Sequence, residues 1–241
     1  MMATDPLASE GPVIADPAVI ADLLRDWLIR ALPPQAMAWL DAAIERQRTA
    51  IDERQLAIAL GLVGRKVGRT DLALTDDDVA KAQRVRGRWQ PETWSTDETA
   101  RVAILLATYR GDEAVFAARV DRLCGTAEIT EHIAYLKGFA VFPTPRALHD
   151  RAREGVRSSS RPVFEAIACG NPYPFDHFDD AAWNQMVVKC VFVGAPIETI
   201  SGLHARRNPE GVQMLRDLVS ERHAAGRSSP DAVHSFIAGD C

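Results

Sequence analysis

The chain has 241 residues, 47% of them hydrophobic, and a formal net charge of −5. That is enough apolar material for a packed core without disulfide staples. The acidic balance excludes a global basic field of the kind that gathers nucleic acid or anionic lipid.

Residues 1–15 read as a disordered tail, and residues 16–241 as one all-helical domain. The stretch Met1–Pro17 holds Asp5, Glu10 and Asp16 but no basic residue, unlike the charged start of a signal peptide. No segment reaches the ~20 apolar residues needed to span a bilayer, so a cytoplasmic location is expected. Asp16-Pro17 is a cap residue followed by proline at the first helical position. Behind it Ile20, Leu24, Trp27 and Leu28 recur at helical spacing. Pro33-Pro34 ends that helix and opens the next, with Met37, Leu40 and Ile44 on one face. A third has Leu56, Leu60 and Val63 and stops in the basic, glycine-punctuated run Gly64–Arg69. Segment 65–94 is the least legible. Thr75-Asp76-Asp77-Asp78 reads as a cap, but the apolar stripe behind it is thin.

From Ser95 the pattern sharpens. Ser95 and Glu98 have capping-box spacing, and Val102, Leu105 and Leu106 follow. Gly111-Asp112 and Gly125-Thr126 punctuate helices carrying Phe116, Val120 and Leu123, then Ile129, Ile133 and Leu136. Thr144-Pro145 is expected to cap an arginine-rich helix, and a short one carries Val163, Phe164 and Ile167. Asp179-Asp180 precede Ala181–Val193, which Gly194-Ala195-Pro196 terminates. Val187–Val193 is β-branched enough to suggest a strand, but the acidic caps favour helix. Asn208-Pro209-Glu210 and Ser229-Pro230-Asp231 start the last two helices. The expected fold class is all-α, with about ten antiparallel helices stacked as a HEAT-like solenoid or a globular helical array.

No catalytic signature is present among the common motifs: no glycine-rich dinucleotide or phosphate loop, no zinc-protease helix, no nucleophile elbow. No cofactor is implied, and no metal site is expected. The run Asp176-His177-Phe178-Asp179-Asp180 resembles ligand spacing, but carboxylates before a helix ordinarily serve its dipole and free donors. Cys124, Cys169 and Cys190 sit among apolar residues and read as small buried hydrophobes in a reducing compartment. There are four lysines, Lys66, Lys81, Lys137 and Lys189, which makes each worth locating.

The most unusual region is 160–208. Asn171-Pro172-Tyr173-Pro174 opens a stiff loop whose aromatic side chains must bury somewhere. On the following helix Asn184 falls among Val187, Val188 and Val191, so its amide is either a structural bridge to a neighbouring loop or a contact in a ligand groove. Gln185 and Lys189 lie one turn apart on the polar edge. Lys189 reads as a solvated lysine whose removal changes stability by less than about 0.5 kcal/mol, or as a cation for a phosphate or carboxylate. Trp183 reads as core. The candidate binding residues are Tyr173, His177, Asn184, Gln185, Lys189, Arg206 and Asn208, with Asn171, Pro172 and Trp183 as structural parts. Arginine stripes at Arg84, Arg86 and Arg88, or at Arg151, Arg153, Arg157 and Arg161, could suit nucleic acid, but the net charge argues against that partner.

Several of these segments together resemble the EboA family. The blocks are Gly155-Val156-Arg157-Ser158, Arg161–Ala168, Asn171–Pro174, Ala182–Val187, Phe192–Pro196, Ile200–Leu203 and Arg206–Pro209. They fall in order over about 155–227, while 95–154 fits more loosely and 1–94 adds little. Cys190 departs from the small residue, such as alanine, expected there. The resemblance implies a bacterial protein of the ebo gene cluster, which is linked to moving a secondary-metabolite precursor, such as the scytonemin monomer, from cytoplasm to periplasm. It implies other ebo-cluster proteins or a small-molecule metabolite as partners, and it supplies no catalytic residues. Two roles follow as expectations: a helical adaptor or metabolite carrier, or an enzyme or small-molecule-binding subunit acting on a polar metabolite.

Overall fold

The computed structural model describes residues 16–143 and 146–239. The tail expected over 1–15 and the cap expected at Thr144-Pro145 lie outside the described residues. Among the described residues thirteen α-helices form, α1 (Pro17–Ala31), α2 (Pro34–Thr49), α3 (Glu53–Lys66), α4 (Asp76–Val85), α5 (Thr96–Leu106), α6 (Glu113–Thr126), α7 (Ile129–Gly138), α8 (His149–Arg157), α9 (Arg161–Ala168), α10 (Tyr173–His177), α11 (Asp180–Val193), α12 (Pro209–Ala224) and α13 (Asp231–Ala238). Among the described residues there is no strand, and an isolated β-bridge joins Asp71 to Ser95. Val187–Val193 is helical throughout.

Local chemistry sets the boundaries. Asp16, Asp52, Asp112, Asp179 and Asn208 each accept a backbone N–H of the turn they precede. Ser95 with Glu98 forms the reciprocal box that the spacing predicts, and Thr75 with Asp78 and Glu128 with Glu131 form two more. The break before α7 falls at Ala127-Glu128, since Gly125-Thr126 stays inside α6. The stiff loop after Asn171 contains a further single helical turn, α10, where the sequence suggests only loop.

The globular alternative is the one that forms. α5 is buried along its whole length except Glu98, and α1, α2, α3 and α7 all pack around it. A solenoid would leave each helix pair touching only its sequence neighbours. One continuous set of buried side chains runs from Ile20 in α1 to Phe236 in α13. Segment 65–94, thin in sequence, joins this core through Val67, Leu72, Ala82 and Trp89. The Trp89 ring lies 5.5 Å from Trp27 and 5.2 Å from Trp94. Arg86 belongs to no surface stripe. It is buried, pairs with Asp176 at 2.5 Å and donates to the Ala140 carbonyl, which fixes α10 against α4.

Candidate functional site

An apolar-walled opening gathers at the end of α9. Gly170 adopts φ +64°, and a Cβ there would sit 2.5 Å from the Gln90 carbonyl oxygen, so the position requires glycine. Its N–H donates to Thr199 O at 2.8 Å, and its own carbonyl accepts from Gln90 N at 3.0 Å. Three segments distant in sequence are thereby stitched into one floor. Ile133 of α7, Pro162 and Ala166 of α9, and Pro196 supply apolar walls to a groove of about 540 Å³. That lies within the size range of small-molecule sites.

The groove's charges are largely matched to one another. Lys137 Nζ donates to Glu98 Oε2 at 2.7 Å and to Thr93 O at 2.9 Å. Arg161 pairs with Glu165 one turn on, at 2.7 Å. Glu92 stands on the exposed rim. Cys169 places a half-buried thiol on the wall.

The residues singled out in the sequence lie elsewhere. Asn184 is buried and forms a reciprocal amide pair with Asn208: Asn184 Nδ2 donates to Asn208 Oδ1 at 3.1 Å, and Asn208 Nδ2 donates to Asn184 Oδ1 at 2.8 Å. Asn208 Oδ1 also accepts from Gly211 N, capping α12. Arg206 collects the carbonyls of Pro174, Phe175 and Phe178, reaches Asp180 at 2.5 Å, and lies over the Trp183 ring. Arg207 does the same service for α13 through Phe236 O and Ile237 O. Asn171 Nδ2 donates to the Leu136 and Ala166 carbonyls, and its Oδ1 accepts from Tyr173 N. Pro172 is buried in the same turn.

Tyr173 is fully buried, and burial raises its phenol above the usual range. His177 stacks on it with ring centroids 4.7 Å apart. Burial holds the imidazole below its ordinary pKa, and its Nε2 has no hydrogen-bond partner among the described residues. Asp176 is engaged with Arg86 and Asp179 with the α11 cap. Among the described residues no group of three or more acidic, histidine or cysteine side chains could hold a metal ion.

Lys189 requires a correction. It is not a solvated lysine: Nζ donates to Val156 O at 2.6 Å and Ser158 O at 2.8 Å, closing the end of α8. Burial correspondingly lowers its pKa. With exposed Gln185 it edges a separate hollow of about 220 Å³ that also includes Arg153 and Arg157. That is smaller than small-molecule sites usually are. The structure thus brings Asn184, Arg206 and Asn208 into one junction, which Arg206 ties to the α10 turn that carries Tyr173 and His177, and leaves Gln185 and Lys189 at the separate hollow. None of the seven lines the larger groove. Its signals in sequence were slight: one of four lysines at 137, a proline following each of Arg161 and Ala195, and glycine at 170.

A family model described as EboA, metabolite traffic protein, matches residues 20–238, nearly the whole chain and far more than the blocks of 155–227. No curated protein and no solved structure matches it.

Proposed function

The chain belongs to the EboA family, and we propose that it serves metabolite traffic as a non-catalytic carrier whose cargo lies in the groove between α5, α7 and α9. The observation that carries this reading is the groove's character. Its walls are apolar, while Lys137 and Arg161 are each paired with a glutamate from the groove itself. A strongly anionic cargo would have to compete with Glu98 and Glu165 for those cations. A cargo without net charge leaves both pairs intact and gains from burial at roughly 25 cal/mol per Å² of apolar surface. The third proton of Lys137 Nζ is available for a hydroxyl or carbonyl of such a molecule. The cargo class is therefore an uncharged, largely apolar metabolite with a polar end.

In this role the protein receives a secondary-metabolite precursor on the cytoplasmic side and presents it, alone or with other ebo-cluster proteins, for passage toward the periplasm. Among the described residues no helix is long and apolar enough to cross a membrane, so the crossing itself is assigned to a partner. The competing role is a subunit that changes the metabolite chemically.

The test is native mass spectrometry of the tagged protein taken from its host, with the released small molecule identified. The carrier role predicts a one-to-one complex with a molecule that leaves unchanged on denaturation and accumulates in the cytoplasm of a deletion strain. Turnover of that molecule by the purified protein would refute the carrier role and favour the enzymatic one.

A further inference from the structure

The hollow beside Gln185 lies between two helix edges. Arg153 and Arg157 stand one turn apart on α8, Gln185 and Lys189 stand one turn apart on α11, and all four line it. Lys189 Nζ donates at 2.6 Å and 2.8 Å to the carbonyls of Val156 and Ser158, the two residues that flank Arg157. The ammonium is thereby fixed at the end of α8 that carries the Arg157 guanidinium. Val156 and Met186 are buried and give the hollow apolar surface as well.

We propose that this hollow binds a phosphate monoester group, with Arg157 and Lys189 as its cations and Gln185 as a further donor. No carboxylate is among the residues that line it. In the groove, by contrast, Lys137 and Arg161 are each paired with a lining glutamate. Among the described residues neither Arg157 nor Gln185 has a side-chain partner. Arg153 has Asp179, but at 3.6 Å, beyond hydrogen-bond range. On the neighbouring face of α8, Arg151 takes Asp121 at 2.6 Å and Glu154 at 2.8 Å. That leaves Asp150 on that face, outside the hollow's lining. A chain of net charge −5 therefore keeps a small recess whose charged lining is entirely cationic.

Charge and geometry select the ligand class. Setting Asp179 against Arg153 leaves Arg157 and Lys189, and the C-terminal end of α8 offsets roughly half a charge of the lysine. A phosphate monoester carries roughly −1.5 to −2 at neutral pH, which matches that remainder better than the single charge of a carboxylate. The Arg157 guanidinium can give such a group two parallel N–H···O bonds. Lys189 keeps one proton after serving its two carbonyls. A volume of about 220 Å³ admits the phosphate and the atoms next to it, and is small for a whole cargo. Two sources share this chemistry, a free phosphorylated metabolite and the headgroup of a phosphatidate lipid. The site stands whether or not the groove carries a metabolite.

The test is titration calorimetry of the full chain with phenyl phosphate and with benzoate at one fixed ionic strength. Cosedimentation with phosphatidylcholine vesicles, with and without phosphatidate, runs beside it. A free phosphorylated ligand predicts a one-to-one complex with phenyl phosphate that is about tenfold tighter than with benzoate. Arg157→Gln should weaken it by about tenfold or more, and Arg157→Lys should fall between. Both variants should keep the helical spectrum, since Arg157 is exposed. Arg216→Gln, which removes an exposed arginine of α12 outside the hollow, should bind as before. A lipid source predicts instead that vesicles sediment the protein only when they hold phosphatidate, and that Arg157→Gln abolishes this while Arg216→Gln does not. Binding of neither probe would overturn the proposal. So would benzoate binding as tightly as phenyl phosphate, or equal losses in Arg157→Gln and Arg216→Gln.

Discussion

The junction at Asn184 and the groove at Gly170 lie close in sequence, and they spend their polar atoms in opposite ways. At the junction Asn184, Arg206 and Asn208 turn inward, and their hydrogen bonds go to one another, to Asp180 or to helix-end backbone. At the groove the polar side chains ring an opening with apolar walls. A polar side chain on an apolar helix face therefore marks a place where a backbone end needs closing as readily as it marks a ligand. What separates the two regions is the space that remains once every donor has been assigned.

Substitutions can break that contrast, beginning with the largest effect. Gly211→Ala places a Cβ 2.6 Å from Asn184 Oδ1 and 3.0 Å from its Cγ. The amide pair must separate inside a packed interface, so a loss of about 3 kcal/mol is expected in urea melts, at the upper range for overpacking. Asn184→Ala leaves Asn208 Nδ2 without its 2.8 Å acceptor and takes a donor from Asn208 Oδ1. About 2 kcal/mol should be lost, with α12 loosening first in hydrogen exchange. A neutral result for both would mean that the junction is not what ties α11 to α12.

Lys189→Ala sharpens the same comparison on another face. Two carbonyls at the end of α8 lose their donor, so a loss of about 1 kcal/mol is expected. The solvated reading requires less than about 0.5 kcal/mol, and denaturant titration resolves the two. Lys189→Met, which keeps an unbranched apolar side chain but no donor, should lose nearly as much if the carbonyls matter more than the packing.

The smallest effect is pH-dependent. His177 has a folded pKa below its ordinary value of 6.5, through burial first. A depressed folded pKa means that the unfolded chain binds the proton more readily. The stability this contributes is complete above about pH 6.5 and is lost as pH falls through the folded pKa. Comparing melts at pH 7.5 and pH 5.5 should show less decline in His177→Phe than in the unaltered chain. An identical decline would place the sensitivity in another group.

Helix starts were legible at Asp16, Thr75, Ser95, Asp179 and Asn208, where a short polar side chain met a free backbone donor, but not at Asp52, which caps α3. Those are local events, and sequence spacing records them. Trp89 and Arg86 were illegible because their burial depends on Trp27, Trp94, Ala140 and Asp176, which approach only in the folded chain. The site followed the same division. Asn184 could be recognised as a buried amide from its apolar neighbours, but its partner, 24 residues on, could not. The groove left almost no local trace, because Gln90, Gly170 and Thr199 come from three separate segments joined by backbone bonds of Gly170, and Lys137 comes from a fourth, held by Thr93 and Glu98.

The central claim is that cargo lies in the groove and the junction is scaffold. Ile133 lines the groove while only partly buried, so Ile133→Trp should fill the space and change stability by less than about 1 kcal/mol. The decisive measurement is native mass spectrometry of cargo retained by Ile133→Trp and by Lys189→Ala, each isolated from the host beside the unaltered protein. The account predicts at least a tenfold loss of bound metabolite in Ile133→Trp and full retention in Lys189→Ala. Retention in a folded Ile133→Trp, with loss in a folded Lys189→Ala, would contradict it and move the site to the hollow beside Gln185.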